Sequence, residues 1–206
     1  MACTNCYTPR RDLTVDEILL GFRGRCSFRM YIKNKLDKYG LKFFALNDPA
    51  SSYLIYALPY LGKQASITML RNEQKSEYFL RRVTEPIHGT GRNITCDNWF
   101  TSIPLVLRMK KDPYNVKITG TIKKNKKEIL AKMKVGSKSP PESKFCHAKD
   151  MTLVSYCPKK KIKLYLRYPL TKTSMKKSTK NQKLSFIITQ QKEVQIVLIG
   201  FAILTR

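Results

Sequence analysis

The chain is expected to form an α/β domain, a mixed sheet flanked by helices. Three observations predict it. Segments of β type come first and are followed by helical, β and helical segments in turn. Hydrophobic residues make up 42% of 206, a globular share at a length that can bury one core. Two carboxylates, Asp16 and Asp97, lie inside or at the end of apolar β-type runs. A charged Asp in such a place is costly if buried and unpaired, so a compensating partner is expected.

The first strand is expected over Leu13 to Phe22, with Gly21 and Gly24 marking the turn after it and Arg23, Arg25 and Arg29 crowding that turn. Tyr39 to Leu46 alternates and is rich in aromatics, and Ser52 to Leu61 is a second apolar β-type stretch. Asn47-Asp48-Pro49 reads as the turn between them. From Glu77 to Val83 the pattern turns helical, and Pro86, Gly89 and Gly91 end it before a strand over Ile94 to Phe100. Ser102 then caps a helix running to Met109, with Pro104 in its first turn. Val116 to Ile122 reads as a strand. Lys123, Lys124, Lys126, Lys127, Lys132 and Lys134 surround a short apolar helix, ordinarily a solvated face. Gly136 to Lys144 reads as a loop. Met151 to Tyr156 and Ile162 to Leu166 read as two strands joined around Pro158, a small β insertion set apart from the core.

Forty Lys and Arg against fourteen Asp and Glu give +26, which suits a polyanionic partner, most simply nucleic acid. No apolar run reaches the roughly 18 residues of a membrane span, and the start lacks a signal-peptide layout. An intracellular protein with reduced thiols is expected. Its six cysteines have no framework spacing, and the pair Cys3 and Cys6 has no second pair with which to hold zinc. His88, between Pro86 and Gly89, reads as a loop residue.

Strands, then helix, strand and helix, with acids on the first and fourth strands, is the order of an RNase H-like domain. Two acids distant in sequence but carried on adjacent strands are what a Mg²⁺-dependent phosphoryl-transfer site is built from. The alternative is that Asp16 and Asp97 are strand-end turn or capping residues.

The segment Leu13-Thr14-Val15-Asp16-Glu17-Ile18-Leu19-Leu20-Gly21-Phe22-Arg23-Gly24-Arg25-Cys26 closely resembles the start of the catalytic domain of piggyBac-type transposases. So do Lys38-Tyr39-Gly40-Leu41-Lys42, Tyr60-Leu61-Gly62-Lys63 and Asn93 to Ser102. The blocks keep family order and spacing from Leu13 to about Leu164. The resemblance implies an RNase H-like fold, cut-and-paste DNA transposition and a three-Asp metal triad, of which Asp16 matches the first acid and Asp97 the second. It implies Mg²⁺ as cofactor, with two ions about 4 Å apart serving an in-line displacement. DNA is the implied partner and the nucleus the implied location, and self-association stays open. Glu17 points to the opposite face of its strand from Asp16 and is no dyad partner. Arg23, Arg25, Arg29, Lys123, Lys124, Lys126 and Lys127 are the candidate contacts to DNA phosphates, the alternative being solvated side chains. Trp99 and Phe100 are expected in the core rather than under a base.

The third acid has no counterpart. The family motif there reads approximately Tyr-Tyr-Asn-x-Thr-Lys-Gly-Gly-(Val or Ala)-Asp. This chain reads Phe186-Ile187-Ile188-Thr189-Gln190-Gln191-Lys192-Glu193-Val194-Gln195-Ile196. A codon frame displaced by one step recovers Tyr-Tyr-Asn from Phe-Ile-Ile-Thr, Gly-Gly from Lys192 into Val194, and Asp from Gln195 into Ile196. The expectation is that translation leaves the ancestral frame near Lys163 to Tyr168. The divisions expected are a remnant N-terminal segment over 1–12, the RNase H-like core over 13–122, the basic β insertion over 123–166, and an out-of-frame tail over 167–206. The fold would then be incomplete at its C-terminal side, with an exposed apolar patch and marginal stability, and the chain would be a catalytically dead transposase fragment. Two rivals remain. One is a domesticated, non-catalytic DNA-binding or interaction protein on the same scaffold, and the other an active nuclease with Glu193 as third acid.

Overall fold

A computed structural model describes residues 7–62, 67–135, 142–149, 151–158 and 161–167. In chain order the elements are β1 (Asp12–Gly21), β2 (Met30–Tyr31), β3 (Tyr39–Asp48), β4 (Tyr53–Pro59), α1 (Lys75–Val83), β5 (Asn93–Cys96), α2 (Ile103–Lys110), β6 (Lys117–Thr121), α3 (Ala131–Lys134), β7 (Glu142–His147), β8 (Thr152–Cys157) and β9 (Lys163–Arg167). A 3₁₀ turn, Glu85–Ile87, follows α1. The described strands make one sheet in the order β2-β3-β1-β5-β6-β9-β8-β7, with β4 also paired to β3. β4, β3 and β1 are antiparallel neighbours, while β1, β5 and β6 run parallel. This mixed sheet with its helices is the RNase H-like arrangement expected from the element order.

Alternation within the strands decides what each face holds. Leu13, Val15, Phe44, Leu46, Ile94, Cys96 and Ile118 project to one face and join a single buried cluster with Phe79 and Leu80 of α1 and Leu105 and Met109 of α2. Phe79 lies 4.4 Å, centroid to centroid, from Phe44. Helix α2 starts as its sequence specifies: the Ser102 Oγ accepts from the Leu105 N–H at 3.2 Å, and Pro104 sits in the first turn.

α1 and α2 are joined by buried charge. The Glu73 carboxylate receives Arg81 through Nε at 2.7 Å and NH2 at 3.0 Å, with Arg108 NH1 3.8 Å away. Burial pushes the Glu73 carboxyl up, but the Arg81 fork and the Leu70 N–H outweigh it and hold it below the ordinary value. Glu77 accepts from Ser102 Oγ at 2.5 Å and faces Arg108 NH1 at 3.5 Å.

Four local expectations change. β3 runs on through Asp48, whose carboxylate accepts from Tyr7 Oη and the N–H groups of Arg10 and Ala50. Those three donors let a charged residue end a strand at 0% exposure. β5 stops at Cys96 rather than Phe100, because the Asp97 carbonyl turns back to accept from the N–H groups of Phe100 and Thr101. Glu142 to Lys144, expected in a loop, open β7. β8 and β9 were expected to stand apart from the core, yet β9 pairs with β6, and Leu153, Leu164 and Leu166 enter the main cluster. Lysine-rich connections at 158–163 conceal that continuity in the sequence.

Candidate active site

Around the two acids, the opposite face of the same strands is polar, giving way to Ile18, Leu20, Leu41 and Phe43 toward the carboxyl end of β1. Asp12, Thr14 and Asp16 of β1 share it with Asn47 of β3, Asn93 and Thr95 of β5, and Thr119 and Thr121 of β6. A ladder of hydrogen bonds crosses three strands: Thr119 Oγ1 donates to Asn93 Oδ1 at 3.0 Å, and Asn93 Nδ2 to Asp12 Oδ1 at 3.0 Å.

The parallel register of β1 and β5 ends with Val15 opposite Cys96. The next residue on each strand's chain is a predicted acid: Asp16 continues β1 on the polar face, and Asp97 opens the turn after β5 with its carboxylate bonded to Thr121 of that face. Asp16 lies mid-strand opposite Ala45, whose small side chain leaves room beside the carboxylate. Both acids are half-buried. Asp16 Oδ1 accepts from the Glu17 N–H at 2.8 Å, and Asp97 Oδ1 accepts from Thr121 Oγ1 at 3.2 Å.

The Asp97 turn is fixed from below. Thr101 Oγ1 donates to the Asp97 carbonyl at 3.0 Å, and the Ser102 cap ties the next residue to Glu77 of α1. Gly120 of β6 lies against this turn: a Cβ there would stand 2.5 Å from Thr101 Oγ1 and 2.6 Å from the Cys96 carbonyl oxygen. Only glycine admits that approach.

Glu17 is turned to the other face, as alternation requires, and pairs with Lys42 at 2.6 Å. The Lys42 ammonium also lies over Phe44, Trp99 and Tyr60 at 5.0 to 5.8 Å from their centroids. Phe100 is core, whereas Trp99 is 38% exposed at the rim with its ring stacked on Phe44.

The basic candidates fall into two loops. Arg23, Arg25 and Arg29 are exposed in the loop that leaves the carboxyl end of β1. Lys123, Lys124 and Lys127 are exposed, and Lys126 half-buried, in the loop that leaves the carboxyl end of β6. Since β1 and β6 run in the same direction, both loops leave the end of the sheet toward which Asp97 lies. Among the described residues no group of three or more His, Cys, Asp and Glu gathers for a metal. Glu193, Cys3, Cys6 and the whole of 168–206 lie outside the described residues. Sequence reasoning did not single out Asn93, Thr119, Thr121, Gly120, Glu73 or Glu77. Polar residues at every second position of apolar strands were the signal for the first three.

A family model described as Transposase IS4 matches residues 1–197. The chain belongs to that family. It is also similar to a solved structure titled "Cryo-EM structure of piggyBac transposase synaptic complex with hairpin DNA (SNHP)", with 42% identity and a TM-score of 0.80 over 91% of this chain. The matched region spans 39% of that chain. The piggyBac-type resemblance read from the sequence blocks is thus borne out, and this transposase-family chain carries the catalytic-domain sheet. Among its described residues, no helix is long and apolar enough to cross a membrane.

Proposed function

We propose that this chain provides the catalytic core of a piggyBac-type DNA transposase, with Asp16 and Asp97 as two of three metal-holding acids, and that these 206 residues alone lack strand-transfer activity. The supporting observation is the β1 to β5 register, which ends at Val15 and Cys96 so that two acids 81 positions apart directly follow its last pair, with Asp97 tied to Thr121 of the polar face. The residues fit a divalent ion in kind, since carboxylate oxygens are the donors Mg²⁺ takes. In number they fit a weak site, because no third ligand joins them among the described residues. Bound Mg²⁺ would supply Lewis-acid polarisation of a phosphodiester.

The chain's own residues do the rest. Asp16 and Asp97 concentrate negative charge between two basic loops, Thr121 orients one Asp97 oxygen, and Gly120 with Thr101 keeps the turn in place. The loops would hold the DNA backbone by charge, so affinity should fall steeply with salt. Action on DNA fits a nuclear location for the protein.

Titrating Mg²⁺ into the chain during thermal melting tests the site. A rise in Tm that disappears in Asp16→Asn and Asp97→Asn is expected, with no nicking of supercoiled plasmid. Mg²⁺-dependent nicking lost in Asp16→Asn would overturn the inactivity. A melt indifferent to Mg²⁺, with salt-sensitive DNA binding unchanged by Asp16→Ala, would replace the metal site with the domesticated DNA-binding reading. The tail is settled at the DNA level. A neighbouring frame downstream of Lys163 that spells the Lys-Gly-Gly-Ala-Asp block supports the frame change. Its absence returns the tail, which the family match enters, to in-frame sequence.

A further inference from the structure

The segment from Phe22 to Tyr39 carries more than charge. Arg23, Arg25, Arg29, Lys33, Lys35 and Lys38 face a single acid, Asp37, and between them stand two exposed tyrosines. Tyr31 is 55% exposed and Tyr39 51%. They are cross-strand partners in the β2 to β3 pair, with ring centroids 4.8 Å apart and planes tilted by 46°. The Arg29 guanidinium lies 5.6 Å from the Tyr39 centroid and is held there by donating from NH1 to the carbonyls of Arg23 and Gly24, each at 3.0 Å. The hairpin itself is closed by backbone bonds from the Ile32 N–H to Lys38 O at 2.7 Å and from the Lys35 N–H to Ile32 O at 3.1 Å. Lys35 Nζ reaches back to the Glu17 carbonyl at 3.2 Å, beside Asp16.

Register fixes where this pair stands. Ala45 is opposite Asp16, and Tyr39 lies six residues from Ala45 on the same strand. An even separation returns to the same face, so Tyr39 and its partner Tyr31 stand on the face of Asp16 and Asp97. Six residues of strand span about 20 Å. A duplex strand rises about 3.4 Å per nucleotide and an unpaired one is more extended, so a strand with a phosphate at Asp16 reaches the tyrosines within about six nucleotides. Exposed aromatic rings among fixed cations form a platform for an unpaired base, with cations for its phosphates and a ring for its face.

We propose that Tyr31 and Tyr39, braced by Arg29, stack on an unpaired base of the DNA strand, within about six nucleotides of the phosphate at the two acids. The inference rests on the DNA-transposase reading and adds a single-stranded subsite to it.

The test uses the whole chain and DNA duplexes with and without a single-stranded extension, carrying 2-aminopurine at successive positions of that extension. Wild type should quench one position of the extension more than its neighbours, and bind extended DNA about 5- to 150-fold more tightly than blunt DNA. The double variant Tyr31→Leu, Tyr39→Leu should lose the quenching and the preference while keeping blunt-duplex affinity and its salt slope. Tyr31→Phe with Tyr39→Phe should keep both. Wild type that binds extended DNA without quenching at any position overturns the inference whatever the variants do, as does unaltered preference in the Leu variant. Both results leave DNA binding standing. Failure of wild type to bind any of these DNAs overturns the transposase reading as well.

Discussion

The two faces of the sheet are made by the same strands and follow opposite rules. On the helix-covered face, Leu13, Val15, Phe44, Ile94 and Ile118 are buried among apolar neighbours and packed against α1 and α2. On the other, Thr14, Asn47, Thr95 and Thr119 are buried as well, yet polar. Thr14 Oγ1 and both amide atoms of Asn47, which face each other across β1 and β3, have no hydrogen-bond partner among the described residues. Buried polar atoms without partners cost stability, and they stand next to the two acids. One face is thus built to hold the domain together, and the other gives up stability around a charged site.

Breaking the first face should have the largest effect. Phe44→Ala removes the ring against which Phe79, Trp99 and Phe100 pack, and should lower unfolding free energy by about 3–5 kcal/mol in urea titration. Cutting the link between its helices comes next. Glu73→Gln strands Arg81, while Arg108 keeps Glu77, and should cost about 3 kcal/mol near neutral pH. Because the folded Glu73 carboxyl lies below its ordinary 4.5, its contribution is complete above that pH and is lost as pH falls through the folded value. The gap between wild type and Glu73→Gln should therefore close on acidification. A constant gap would show that the charge of Glu73 is not what matters.

Gly120→Ala sits where the faces meet the Asp97 turn. It should cost about 1–3 kcal/mol and weaken any Mg²⁺ effect on Tm, because the new methyl displaces Thr101. The smallest change is the sharpest contrast. Asn47→Leu swaps an unpartnered amide for an alkyl group of similar size, and should leave stability within about 1 kcal/mol of wild type or raise it. Loss of more than that would show that the polar face is satisfied in solution and that the two faces do not differ as described.

Much of this was legible from local pattern. The extent of β1, the Ser102 cap and the placement of Asp16 and Asp97 at apolar strands all follow from interactions within a few residues, which sequence records directly. What was misread depended on distant partners. β8 and β9 looked like a separate insertion because their links to the core, the β6 to β9 pairing and the packing of Leu153, Leu164 and Leu166, are long-range, and nothing in a lysine-rich connection announces them. Asp48 looked like a turn residue because two of its three donors, Tyr7 and Arg10, come from about forty residues away.

By itself the sequence determined the alternation that makes each strand two-faced, the helix cap and the basic loops, since each depends on side-chain type and short-range geometry. Only the tertiary structure decided that Val15 pairs with Cys96, and therefore that Asp16 stands beside Asp97 on the face of Tyr31 and Tyr39. Strand register is a long-range choice made by the whole core at once: a slip of one residue would carry the buried Leu and Val side chains to the polar face and the acids into the core.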